Sequence, residues 1–189
     1  MNTLPDRKEL EQLDQASAEL INLIIEGLRN ENGMHLPTAI AAPSTLAGLA
    51  LLRATGVDLS TMTPGTPVLV DAVNNGGTDL VGFMSMMSQM IGIDPDSGWN
   101  DPVPPEYASL LPLVELEARF EQPFLALAGR LATPEQFLPH LAALAAVKLV
   151  VLGRDALSPD IGKAIVLSHV VEACKTVPHA PDSAPGDTR

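Results

Sequence analysis

The chain has 189 residues, of which 46% are hydrophobic but only one is Trp, one Tyr and four Phe, and 11 Lys and Arg against 23 Asp and Glu give a formal net charge of −12. At this length one domain with one substantial core is expected. The acidic balance argues against nucleic acid, whose binding draws on Lys and Arg displacing counterions, and against anionic membrane surfaces; no run approaches the roughly 18 consecutive apolar residues of a membrane span.

The start, MNTLPDRKELEQLDQ, has no basic segment followed by an apolar run, so a secretory signal is not expected. Cys174 is the single cysteine and has no partner for an internal disulfide, and no Cys/His pairs stand at zinc spacing. A reducing cytoplasm fits this pattern.

Asp6 and Glu9 have the spacing of a capping box, and Leu10, Leu13, Leu20, Leu23, Ile24 and Leu28 recur near helical spacing, which predicts a first helix over about 7–29 that stops at Asn32-Gly33. A second helix follows over HLPTAIAAPSTLAGLALLRATG. Pro37 suits its first turn and Gly56 its end, while Pro43 predicts a kink or a restart at Ser44.

Residues 67–83 change character. Val68, Leu69, Val70 and Val73 precede Asn74-Asn75-Gly76-Gly77, and Leu80, Val81 and Phe83 follow, which reads as a β-hairpin; a loop-to-helix transition at Thr78-Asp79 would give much of the same pattern. MSMMSQMIG then predicts a short helix, and GIDPDSGWNDPVPPE a loop held to the core by Trp99. A helical pattern resumes from Glu106, interrupted at Pro112 and Pro123. Thr133-Pro134-Glu135-Gln136 reads as a cap that opens the next helix, closed by Gly153, and Ser158-Pro159-Asp160 repeats the device. The expected architecture is a mainly α, multi-helix domain over 1–177, or α+β if the hairpin near residues 67–83 forms, with a disordered tail over 178–189.

Residues able to do chemistry are scattered. His35 lies in a stretch, residues 32–90, whose formal charges are Asp58, Asp71, Asp79 and Arg53; a lone His at a helix entrance is a ligand contact or base, or a hydrogen-bonded structural residue. His140 and His169 lack a second ligand at i, i+3 or i+4. Asp94, Asp96, Asn100 and Asp101 resemble a calcium loop superficially, but the glycine falls at the fifth position and no glutamate stands at the twelfth. Glu117 and Glu121 share a helix face and with Glu115 offer an acid/base pair or a solvated acidic surface. Cys174 beside Lys175 reads as a buried, inert thiol, and Lys148, set among AALAAV and LVVL, as a lysine that snorkels outward or an amine with a lowered pKa. Phosphate-binding and hydrolase motifs are absent, so no catalytic residue, cofactor or metal is assigned.

Phe83, Met84, Met86, Met87, Met90 and Ile91 form the most informative stretch. Positions 83, 86, 87 and 90 make one helix face suited to a core, whereas 84 and 91 make a second apolar face for a partner copy or lipophilic ligand, unless the helix is buried all round.

Gly33-Met34-His35, Leu46-Ala47-Gly48, the hairpin-like region, Lys163-Ala164-Ile165 and Lys175-Thr176-Val177-Pro178 together resemble a bacterial family of small helical proteins with no assigned activity. The resemblance implies bacterial origin and carries over no site residue. Two functions follow as expectations. The first is a non-enzymatic, homodimeric interaction protein of adaptor, inhibitor or immunity type. Its acidic stretches at 6–31 and 91–122, with Glu115, Glu117 and Glu121, would meet a basic partner. The second is a small-molecule binder or small enzyme with a pocket near His35, where Arg53 or Lys148 would fix an anionic group.

Overall fold

The computed structural model describes residues 5–31 and 33–179. Six helices follow in chain order: α1 (Arg7–Leu28), α2 (Leu36–Ala54), α3 (Asp71–Met90), α4 (Leu113–Arg130), α5 (Leu138–Leu152) and α6 (Pro159–Cys174). Two 3-10 turns, Pro105–Tyr107 and Glu135–Phe137, precede α4 and α5.

The capping box forms as its spacing predicts. Glu9 N–H donates to Asp6 Oδ1 at 2.8 Å and Asp6 N–H to Glu9 Oε2 at 2.6 Å, so two otherwise unpaired donors at the start of α1 are satisfied. The helix then buries Leu13, Ala16, Leu20, Ile21 and Ile24, one stripe at helical spacing.

Helix α2 is the axis of the fold and packs against the other five. Every residue from Pro37 to Leu52 is buried, and full burial of a Leu such as Leu46 or Leu52 contributes about 1.5–3 kcal/mol. The helix is continuous through Pro43, with no restart at Ser44, whose hydroxyl donates to the Ile40 carbonyl at 2.7 Å. Its small side chains let neighbours come close. At Gly48 a Cβ would stand 2.5 Å from the Val170 carbonyl oxygen and 2.7 Å from Ala173 Cβ, so the crossing of α2 and α6 requires glycine. Helix α5 is the second interior element, packed on α1, α2, α3 and α6.

Two apolar segments, Leu36–Ala54 and Glu135–Leu152, are long and hydrophobic enough to cross a membrane, but 89% and 67% of them is buried inside the bundle. Their apolar surface is used on each other and on the outer helices.

The β-hairpin is not formed. Residues 71–90 are one helix, and Asn74-Asn75-Gly76-Gly77 lies in its early turns, on the outer side. Helical spacing wins because Val73, Leu80, Phe83, Met84 and Met87 all reach the core from one helix, which alternating strand faces would not allow. The extended residues before α3 instead meet the end of α6: Val68 N–H donates to the Lys175 carbonyl at 2.8 Å, and Val177 N–H to the Thr66 carbonyl at 2.9 Å.

The cap at Thr133 is also different. Ala132 adopts φ 52°, Thr133 N–H donates to the Ala128 carbonyl at 2.9 Å and Ala132 N–H to the Gly129 carbonyl at 3.1 Å, which is a Schellman ending of α4. Thr133 therefore closes the preceding helix, and α5 begins only at Leu138; Gly153 caps its end. Within the segment expected to be a disordered tail, Pro178 and His179 are placed against the fold, and residues 180–189 lie outside the described residues.

Candidate functional site

Helix α4 carries Leu116, Phe120, Phe124 and Leu127 toward the core, and Glu117 and Glu121 ride on the same stripe. They are not solvated. Glu117 is 3% and Glu121 5% exposed. Arg53, in the last turn of α2 where a cation also suits the helix dipole, holds Glu121 Oε1 through Nη2 at 2.5 Å. One turn earlier, His179 Nδ1 stands 3.5 Å from Glu117 Oε2.

Burial raises both carboxyl pKa values. For Glu117 it is opposed by His179 and Arg53; for Glu121 it is opposed by Arg53 and reinforced by the charge of Glu117. The group that faces the Glu117 carboxylate is His179, through a long side-chain contact and its backbone.

Arg53 and Glu121 line a cleft of about 560 Å³ between the second half of α2, α4 and the start of α5. Leu46, Leu49, Phe124 and Leu138 give it apolar walls, and Glu135 and Gln136 add polar groups on the side of the 3-10 turn. The volume and the mixture of apolar wall with a few charged groups match small-molecule sites. A groove of about 610 Å³ between α1 and α4 differs, because its ion pair, Arg130–Glu19, is solvent-exposed.

The three residues expected to converge on a pocket do not meet. His35 starts α2 and Arg53 ends it, about 27 Å apart at the rise of an α-helix. His35 Nδ1 lies 2.8 Å from Thr38 Oγ1, which accepts from Leu110 N–H at 2.9 Å, so His35 belongs to a junction between α2 and the 109–110 loop. Lys148 binds Asp14 Oδ1 at 2.6 Å and Ser17 Oγ at 2.8 Å and ties α5 to α1. Only Arg53 of the three lines the cleft.

Of the acidic-surface residues, Glu115 is exposed while Glu117 and Glu121 are buried. In the methionine stretch the placement departs from the two-face reading. Phe83, Met84 and Met87 are buried, Met86 and Ile91 are part-buried against the core, and Met90 is 66% exposed. Met84, expected on an outer face, is in the interior. The Cys174 thiol is buried and its pKa raised by that burial. Among the described residues no cluster of His, Cys, Asp and Glu could hold a metal ion.

Sequence reasoning missed Lys163, which is 1% exposed. Its ammonium donates to the Asp94 carbonyl at 2.7 Å and Ser97 Oγ at 3.0 Å and lies 3.1 Å from Asp160 Oδ1, fastening the 92–101 loop to α6. Trp99, buried as expected, donates to the Pro95 carbonyl at 2.7 Å, and Gly98 at φ 80° lets the loop backbone reach Asp160. It also missed His179. The pairing of Glu117 and Glu121 with the apolar stripe was available: both are in helical phase with Leu116, Phe120 and Phe124.

Comparison with protein-family models, with curated proteins and with solved structures finds no match.

Proposed function

We propose that this chain binds a small amphiphilic molecule in the cleft between α2, α4 and the start of α5. The observation that carries the reading is the Arg53–Glu121 pair, with Glu121 almost fully buried, set in the wall of a cleft of about 560 Å³ whose remaining lining is apolar apart from Glu135 and Gln136. Arg53 offsets the cost of removing the Glu121 carboxylate from water, and its half-exposed guanidinium stays open to a molecule entering the cleft. Glu121 beside Arg53 has the chemistry to orient a polar head, and Leu46, Leu49, Phe124 and Leu138 to hold a hydrocarbon body. A cytoplasmic setting suits the lone, buried Cys174.

The test is titration with 1-octanol, followed through methyl and aromatic NMR signals. Saturable shifts are expected at Leu49, Phe124 and Leu138, and should be lost in Leu49→Trp, which fills the cleft. Unmoved signals at these residues would remove the reading.

A second reading, the acidic interaction protein, draws on the 92–106 segment. There Asp94, Asp96, Asp101 and Glu106 are exposed on a loop that Lys163 holds in place. A basic protein would meet this face through charge complementarity. Asp96→Lys with Asp101→Lys should abolish such binding and leave octanol binding intact. The homodimer belongs to this reading and is tested by light scattering: a mass near twice 19.9 kDa that falls in Met90→Glu supports it, and a 19.9 kDa species removes it.

A further inference from the structure

We infer that the ligand of this cleft is an organic cation, an alkylammonium or amidinium head on a short apolar body. The inference rests on the cleft being the ligand site and adds the sign of the ligand's charge. Arg53 is the cation in the wall, and its guanidinium is already engaged by Glu121 Oε1 at 2.5 Å. An entering anion would share that guanidinium with Glu121 and would bring a further negative charge beside Glu121 and Glu135. A cation faces the opposite balance. Glu121 and Glu135 line the cleft with one arginine between them, and Glu117 stands one turn away on the same face of α4. Glu117 is almost completely removed from water. The imidazole of His179 lies 3.5 Å from one Glu117 oxygen. Among the charged residues that line the cleft the excess is therefore carboxylate, two against one arginine, and an added positive charge is attracted to it.

The rest of the cleft fits the same ligand. Leu46, Leu49 and Leu138 offer aliphatic contact, and Phe124 is an aromatic ring in the wall of the kind that tolerates a cation nearby. At longer range the net charge of −12 draws cations toward the protein and repels carboxylates.

The experiment titrates the full chain near pH 7 with octylammonium, 1-octanol and octanoate, three heads on one hydrocarbon chain, each below its micelle concentration. Octylammonium is expected to bind at least about tenfold more tightly than octanoate, with octanol between them. Glu121→Gln should shrink or invert that gap, because it removes one carboxylate and releases Arg53. The ordering on the unaltered protein needs no variant to fold. Leu49→Trp separates the cleft from adsorption on the acidic surface, and octylammonium binding that persists unchanged in it would overturn the inference. Equal affinities, or octanoate the tightest, would overturn the cationic ligand and leave the cleft as a binding site. No saturable binding by any of the three would instead remove the cleft reading on which the inference stands.

Discussion

His179 Nδ1 lies 3.5 Å from Glu117 Oε2, so a residue beyond the last helix faces a carboxylate buried on α4. Backbone hydrogen bonds position this contact, since Gly65 N–H donates to the Val177 carbonyl at 2.8 Å and Val177 N–H to Thr66 at 2.9 Å. The pairing is incomplete, and burial leaves the Glu117 carboxyl ionising at higher pH than in the unfolded chain. Between the ordinary glutamate value and that raised value the folded state holds more protons, so this group's contribution to stability falls as pH rises through the window. Glu117→Gln, which carries no charge to desolvate, is therefore expected to stabilise the protein near pH 7 by about 1–2 kcal/mol, the order of the extra cost of burying the charged form. In acid the two proteins should converge. Urea melts across pH check this, and a variant less stable than the parent at pH 7 would contradict it.

Lys163 is expected to be costly to remove. Its ammonium bonds to Asp94, Ser97 and Asp160, and lies 5.9 Å from the centre of the Trp99 ring. Lys163→Met leaves the Asp94 carbonyl and Ser97 hydroxyl without their donor and should destabilise the fold by about 2–4 kcal/mol. Trp99 is the single tryptophan, so its emission reports on the loop directly. A red shift in the folded variant is expected; unchanged emission and stability would show that the clamp contributes nothing.

Ala132 is the described non-glycine residue with positive φ, 52°, at the position of the Schellman turn that glycine usually fills. An L side chain there costs about 1–2 kcal/mol, part of which glycine loses again through its freer unfolded chain. Ala132→Gly should raise stability by about 0.5–1 kcal/mol. Thermal unfolding is the check, and a lower midpoint would contradict the left-handed geometry.

His140 is buried edge-on to Phe83 at 4.8 Å, and burial lowers its pKa against weaker raising effects from the Gln136 backbone and Asp79. The unfolded chain takes up this proton first as pH falls, so the stability associated with neutral His140 is full above the ordinary imidazole value of 6.5 and declines below it. His140→Leu should make the decline below pH 6.5 shallower by one proton's share, while His35 and His169, also lowered by burial, keep theirs. An unchanged slope would mean that His140 does not titrate differently in the two states.

The helices were legible where local chemistry and core demand agree. Asp6 and Glu9 announced α1, and Pro37, Gly153 and Ser158-Pro159 marked real boundaries. Residues 67–83 misled because Asn and Gly carry strong turn preferences, yet Val73, Leu80, Phe83, Met84 and Met87 gain more from one buried helix face than the turn gains from a hairpin. Thr133 misled in a similar way, since a residue that can cap the next helix was already committed to ending the previous one. At the cleft, Arg53 was legible as a charge in an uncharged stretch. Its partner was not, because pairing Arg53 with Glu121 is a long-range contact between α2 and α4 that no local spacing encodes. Glu117 and Glu121 were read as solvated acids by residue type, although their phase with Phe120 and Phe124 placed them on the buried stripe.

The most direct test of the ligand cleft is a search for intermolecular NOEs between the chain protons of octylammonium and the protein's methyl and aromatic groups. Contacts to Leu46, Leu49, Leu138 and Phe124, with the ammonium end nearest Glu121, are expected. Contacts confined to other surfaces, or none at saturating octylammonium, would contradict a cation-binding cleft between α2, α4 and α5.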